Sequence, residues 1–154
     1  MNLILWRHAE AEDFASSDLA RQLTTRGRKQ AQSVARWLRS RLPEDVVILA
    51  SPAARTIQTA EALTDLYRVV REIAPDASVD AVLTAAGWPD GIASTVVVVG
   101  HQPTLGEVAA HLLSHDSDRR GWPVKKSGVL WIKSRERNGD GAAVLLAAIT
   151  PELV

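Results

Sequence analysis

Residues 96–99 are four consecutive valines, and that run restricts the fold more than any other feature of the chain. A β-branched residue is stiff at χ1 and favours extended backbone. A strand with one wet face alternates apolar and polar residues, whereas an unbroken apolar run marks a strand covered on both faces. Two further runs have the same character, Leu3-Ile4-Leu5-Trp6 and Val46-Val47-Ile48-Leu49-Ala50. Weaker strand signals fall at Arg68–Ile73, Val129–Lys133 and Val144–Ile149.

Segments with helical spacing separate these runs. Ala31, Val34, Ala35, Leu38 and Leu42 follow Leu23-Thr24-Thr25 as one apolar stripe, with Arg28, Lys29, Arg36 and Arg39 on the solvated side. Ser51-Pro52 reads as an N-cap with proline at the first helical position, opening a helix toward Tyr67. Ser78–Ala86 reads as a shorter helix closed by Gly87 and stopped by Pro89. Thr104-Leu105-Gly106-Glu107 fits a capping box, with Leu105, Val108, Ala109 and Leu112 on one face behind it. Strand and helix in alternation imply a three-layer α/β sandwich: a mostly parallel central sheet, helices on both faces, and an antiparallel edge strand. The run Arg135–Gly141 supplies the turn that would pair the last two strands as an antiparallel hairpin.

The chain of 154 residues is of a length for one domain, residues 1–154. Its 18 basic and 18 acidic residues cancel, which argues against a nucleic-acid partner, because phosphate-backbone binding shows as a basic excess. No cysteine is present, so disulfides, thiolate catalysis and cysteine-ligated metals are excluded. No apolar run approaches the roughly 20 residues of a membrane span, and Leu3–Trp6 is too short for a signal-peptide core. A cytoplasmic protein without a membrane partner is the expectation.

Ligands of open parallel sheets bind beyond the carboxyl ends of the strands, so the residues that follow each apolar run carry the functional information. Strand one is followed by Arg7-His8, the second by Ser51-Pro52 and then Arg55, and the valine run by Gly100-His101-Gln102-Pro103. Two arginines and two histidines therefore leave one edge of one sheet. Guanidinium forks match phosphate oxygens bidentately and neutralise the charge of a phosphoryl transition state. A neutral imidazole is a competent nucleophile toward phosphorus. The helix that starts near Thr104 adds backbone donors and the positive end of a dipole. Phosphoryl transfer is the chemistry that suits this set.

LILWRHAEAE, LASPAARTIQTAE and VVVVGHQPTLGE together resemble the three signature segments of the histidine phosphatase (phosphoglycerate mutase-like) superfamily. The short length and the run ARQLTTRGRKQA are similar to its small bacterial branch, the phosphohistidine phosphatases of histidine phosphotransfer proteins. The resemblance spans residues 1 to 115. It implies that His8 is the nucleophile and is transiently phosphorylated, and that Arg7, Arg55 and His101 hold the phosphoryl group. It matches Arg21 to a further phosphate-facing arginine, against which stands a structural salt bridge to a nearby acid. It matches Glu72 to a proton donor that follows the third strand, with Glu10, Glu12 and Asp18 as alternatives. Arginines would supply the positive charge, so no metal or other cofactor is expected. The implied substrate is a phosphorylated histidine on a phosphotransfer protein. A small phosphomonoester is the alternative substrate, and a non-catalytic phospho-ligand binder the alternative class.

Ala9 stands where the family usually has glycine, which is harmless if the backbone there has no need of positive φ. His111 and His115 stand four apart, but HLLSH has no glutamate between them and no evident third ligand, so a solvent-facing pair is expected rather than a metal site. Ser127 reads as a turn hydroxyl, and the tryptophans as core and rim.

Overall fold

The computed structural model describes residues 1–91, 93–114, 121–135 and 142–154. Among these residues, six strands form one sheet in the order β3-β2-β4-β1-β5-β6: β1 Asn2–Arg7, β2 Val47–Ala50, β3 Arg68–Val69, β4 Thr95–Gly100, β5 Val129–Arg135 and β6 Ala142–Ile149. The first four run parallel, β5 runs antiparallel to β1, and β6 pairs antiparallel with β5. The helices are α1 Thr25–Arg39, α2 Ala54–Glu61, α3 Val79–Ala86 and α4 Thr104–Leu113. This is the α/β sandwich with a mostly parallel sheet and an antiparallel edge that the apolar runs predict. Residues 136–141 of the expected turn, and His115, lie outside the described residues.

The valine run does what an unbroken apolar run should. Val97 and Val99 pack with Ile4, Trp6, Ile48 and the α1 stripe Ala31, Val34, Ala35 and Leu38, while Val96 and Val98 pack on the other face with Leu3, Leu5, Val82, Leu105 and Val108. All four valines are fully buried. Alternate residues of one strand thus serve two cores, which is why polar residues are absent from the run.

Three local expectations change. The third strand stops at Val69, and Arg71–Ile73 is instead a 3-10 turn. Ile73 is 2% exposed in the core beneath α3, and turning the chain at Val70, with Ile73 N–H donating to the Val70 carbonyl, brings that side chain under the sheet. The second helix begins at Ala54 rather than at Pro52 and ends at Glu61 rather than near Tyr67. Ser51 still belongs to the sheet, its N–H donating to the Val99 carbonyl. Beyond Glu61, Arg39 donates to the carbonyls of Ala62 and Leu63, and the Thr64 hydroxyl accepts from Leu66 N–H. Such local bonds offer the backbone an alternative to another helical turn. At α4 the capping box does not form, because the Thr104 hydroxyl donates to the Ala77 carbonyl and the amide oxygen of Gln102 accepts from Gly106 N–H instead. The caps of α1 and α3 are conventional: the Thr24 hydroxyl accepts from Gly27 N–H and that of Ser78 from Ala81 N–H, with Gly87 left-handed after α3.

Candidate active site

The register of the parallel strands places the functional residues side by side. Arg7 pairs with Gly100 across β1 and β4, and Ala50 of β2 pairs with Val99. His8 N–H then donates to the Gly100 carbonyl, so the chain segments that leave β1, β2 and β4 stay adjacent for one more residue. Arg7, His8, Arg55 and His101 line one cavity of about 400 Å³ at this edge, together with Arg21 and Asp18. The convergence inferred from chain direction alone is therefore present.

His8 is held by its own loop. Its Nδ1 lies 2.7 Å from the Ala9 carbonyl, and a carbonyl can only accept, so Nδ1 carries a proton in this contact. The neutral ring then has its lone pair on Nε2. Ala9 N–H donates to the Thr59 hydroxyl, which in turn donates to the Arg55 carbonyl, tying the loop to α2. Ala9 is buried, and only Asp76 and Ser127 have positive φ among the described non-glycine residues. Alanine in place of the family glycine therefore meets no backbone strain.

His101 faces His8, with ring centroids 5.3 Å apart, and its Nε2 lies 2.7 Å from the Ser51 hydroxyl. Ser51 thus serves the site rather than a helix cap, a role that the Ser-Pro dipeptide conceals. Burial depresses the pKa of both imidazoles, and the neighbouring arginines add to the effect: His8 is lowered to about 4 despite its bond to Ala9, and His101 to about 3. Both rings are neutral near pH 7.

The arginines are fixed in different ways. Arg7 Nη1 donates to the Val124 carbonyl. Arg55, 4% exposed, donates from Nη1 to the Asp18 carbonyl and from Nη2 to the Asp18 carboxylate. Arg21 donates from Nε to the same carboxylate and from Nη1 to the Glu12 carbonyl. Arg21 thus lines the cavity and also makes the salt bridge weighed for it. Arg7 Nε, Arg55 Nε and His101 Nδ1 are buried without a hydrogen-bond partner among the described residues. Buried polar atoms are almost always partnered, so three unpartnered ones on residues of a single cavity leave hydrogen-bonding capacity unmet there.

Glu72 is not brought to this cavity. It stands on the 3-10 turn and lines a separate groove with Leu49, Val70 and Ala81, because the turn that buries Ile73 points the preceding residue elsewhere. Of the alternatives, Glu10 accepts from the Thr24 hydroxyl and Glu12 is exposed, and neither lines the cavity. Asp18 does, but it bridges the arginines. Asp13 and Asp76, also on the cavity wall, escaped the sequence reading. Pro75-Asp76 is a turn signal just beyond the third strand and was the available clue. Ser127 is the turn residue expected: its backbone is left-handed and its hydroxyl accepts from the Trp6 indole. His111 lies exposed on the last turn of α4, and no cluster of three or more metal-ligating side chains occurs among the described residues. No helix among them is long and apolar enough to cross a membrane.

Residues 3–77 match the model of the histidine phosphatase superfamily, branch 1. The phosphohistidine phosphatase SixA of Escherichia coli is 32% identical over 120 residues, 73% of this chain and 74% of that protein. The chain belongs to the histidine phosphatase superfamily, in its SixA branch. The SixA homolog of Haemophilus influenzae is 28% identical and matches 98% of this chain and 97% of its own. The structure of the protein histidine phosphatase SixA complexed with tungstate superposes with a TM-score of 0.83 at 26% identity, covering 99% of both chains. Membership of this family accounts for the ordered arrangement of three strand-end segments around one cavity.

Proposed function

We propose that this chain is a phosphohistidine phosphatase that works in the cytoplasm as one catalytic unit of residues 1–154, with His8 as its nucleophile. The observation that carries the proposal is the ring of His8: Nδ1 is committed to the Ala9 carbonyl, leaving a neutral Nε2 in a cavity lined by Arg7, Arg21 and Arg55. Similarity to SixA proteins, one of them solved with the oxyanion tungstate, supports it.

A phosphohistidine from another protein enters the cavity, and Arg7, Arg55 and His101 take its phosphoryl oxygens. His8 Nε2 attacks phosphorus in line; the new N–P bond forms as the substrate's own P–N bond breaks, and the leaving imidazole keeps that electron pair and takes a proton. The guanidinium groups stabilise the charge spread over the equatorial oxygens. Water then attacks the phosphorus on His8, releasing phosphate and restoring the ring. Imidazole departs more readily than an alkoxide, so proton donation matters less here than for an ester. Asp76 is the carboxylate beyond β3 that faces the cavity, and it carries that proton in this reading; Asp18 is ill suited, because the hydrogen bonds from Arg21 and Arg55 outweigh its desolvation and hold it ionised.

Loss of phosphate from a purified phosphorylated histidine phosphotransfer domain, followed on a phosphate-retarding gel, tests the proposal. Rapid loss with wild type and none with His8→Ala is expected. Near-normal turnover by His8→Ala would sink the mechanism. Hydrolysis of an aryl phosphate with no action on the phosphoprotein would move the substrate to small phosphomonoesters, and anion binding with no turnover of either would make the chain a binding module.

A further inference from the structure

One carboxylate occupies the mouth of the cavity in a way that catalysis does not explain. Asp18 Oδ1 lies 3.1 Å from Arg21 Nε and 3.0 Å from Arg21 Nη2, while Oδ2 lies 3.2 Å from Arg55 Nη2. The main-chain carbonyl of the same residue accepts from Arg55 Nη1 at 2.9 Å. Each oxygen of a single carboxylate therefore faces a different arginine, in the way that two oxygens of a bound phosphoryl group would.

We propose that the Asp18 carboxylate is a built-in stand-in for phosphate, which an arriving anion must displace from Arg55 and which returns to eject it. The proposal rests on reading the cavity as a phosphoryl site. The local architecture suits such an exchange. Asp18 opens a 3-10 turn, Asp18–Ala20, that contains no buried residue, and its side chain is 58% exposed. Residues 12–19 are exposed throughout. The base of this loop is fixed by the Ala11–Leu23 bridge and by Glu12 N–H donating to the Gln22 carbonyl. Turning the Asp18 side chain away therefore costs little packing and leaves the backbone of the loop in place. Arg55 does not depend on the carboxylate for its position, because the Asp18 carbonyl still holds Nη1 when the side chain turns away.

The device answers a problem that the cavity creates for itself. Three arginines that stabilise a phosphoryl transition state also retain the phosphate product. An ionised competitor tethered at high local concentration weakens that retention without removing any arginine. It penalises free phosphate at each binding event, including the phosphate that would otherwise occupy the resting protein.

The test compares Asp18→Asn with wild type and with Asp13→Asn by calorimetric titration with tungstate and with inorganic phosphate. Asparagine keeps the shape and an acceptor oxygen and removes the charge. Asp13→Asn removes the same charge from the cavity wall without touching the bridge. Asp18→Asn is expected to bind both anions about threefold more tightly or better, as the loss of partly exposed ion pairs allows, and Asp13→Asn to bind them less tightly than Asp18→Asn does. Equal gains in the two variants overturn the proposal, as does unchanged or weaker binding by Asp18→Asn with an unaltered melting temperature. If Asp18→Asn melts lower, Asp18→Ser is titrated in its place, and unchanged or weaker binding there overturns the proposal too. Failure of wild type and variants alike to bind either anion overturns the reading of the cavity itself, and the stand-in with it.

Discussion

His8 and His101 face each other across 5.3 Å between ring centroids, yet they are held by different kinds of partner. His8 gives its Nδ1 proton to a backbone carbonyl, which fixes its tautomer. His101 meets a serine hydroxyl, which can donate or accept. The first arrangement suits a nucleophile that must present one lone pair throughout, and the second a ring that adjusts to a phosphoryl oxygen.

A pH profile follows from their burial. With His8 8% exposed and lowered to about 4, the neutral ring that the proposed attack requires persists well below the ordinary histidine value. The acid limb of kcat/KM assigned to His8 is expected well below pH 6.5, so activity at pH 5.5 stays close to that at pH 7. A limb centred near 6.5 refutes the burial argument. Stability moves in the opposite sense from a histidine with a raised pKa. The unfolded chain binds protons on both rings near pH 6.5, before the folded chain does, so stability is present above that value and is lost as pH falls toward 4. Each ring contributes about 1.4 kcal/mol per pH unit across that window. Urea unfolding at pH 7 and pH 5 measures the difference.

Arg55 is expected to tolerate no substitution in catalysis. Arg55→Ala should lower kcat/KM by on the order of a hundredfold or more, the scale of a removed transition-state donor. Arg55→Lys should recover little, since an ammonium cannot bond two oxygens as a planar fork does. Single-turnover rates with the phosphoprotein check both, and a lysine variant near wild type would refute the bidentate role.

The fold was legible where one force decided it, and the errors fell where two competed. The valine run and LILW could go nowhere but a doubly covered sheet, and the strand-end rule then brought Arg7, His8, Arg55 and His101 together. Ser51-Pro52 carries a strong helix-start signal, but the hydroxyl is engaged by His101, fifty residues away, which no local pattern reports. Thr104 lost its cap to the Ala77 carbonyl for the same reason. Glu72 was matched by resemblance to a carboxylate that follows the third strand, but burying Ile73 required a turn at 71–73, which takes Glu72 to a different groove. The Asp18 bridge joins Arg21 and Arg55 through a loop whose exposed residues show no periodicity at all.

Asp76→Asn separates the chemistry of the leaving groups. Loss of an acid–base group usually costs about 10²- to 10⁴-fold. Here the cost should be large for an alkyl phosphate, whose alkoxide needs a proton, and small for phosphohistidine, whose imidazole departs readily. Parallel kcat measurements on the two substrates decide the matter, and equal losses on both would remove Asp76 from proton transfer.

Phe14 tests whether the substrate is a protein. It is the only phenylalanine of the chain and is 91% exposed, an arrangement that gains nothing for the folded monomer. It follows Asp13, which lines the cavity, and Leu19, 47% exposed, follows Asp18 on the same loop. An apolar side chain beside a polar cavity can be covered by the surface around a phosphorylated residue, whereas a small phosphomonoester has nothing to place on it. Phe14→Ala is therefore expected to raise KM for the phosphorylated phosphotransfer domain about tenfold, the effect of losing one good interface anchor. Its kcat on that substrate, and both constants for an aryl phosphate, should stay within about twofold, since substitutions at exposed sites rarely disturb the fold. A KM that is unchanged for the phosphoprotein, or one that rises equally for the aryl phosphate, would show that Phe14 makes no contact with a protein substrate.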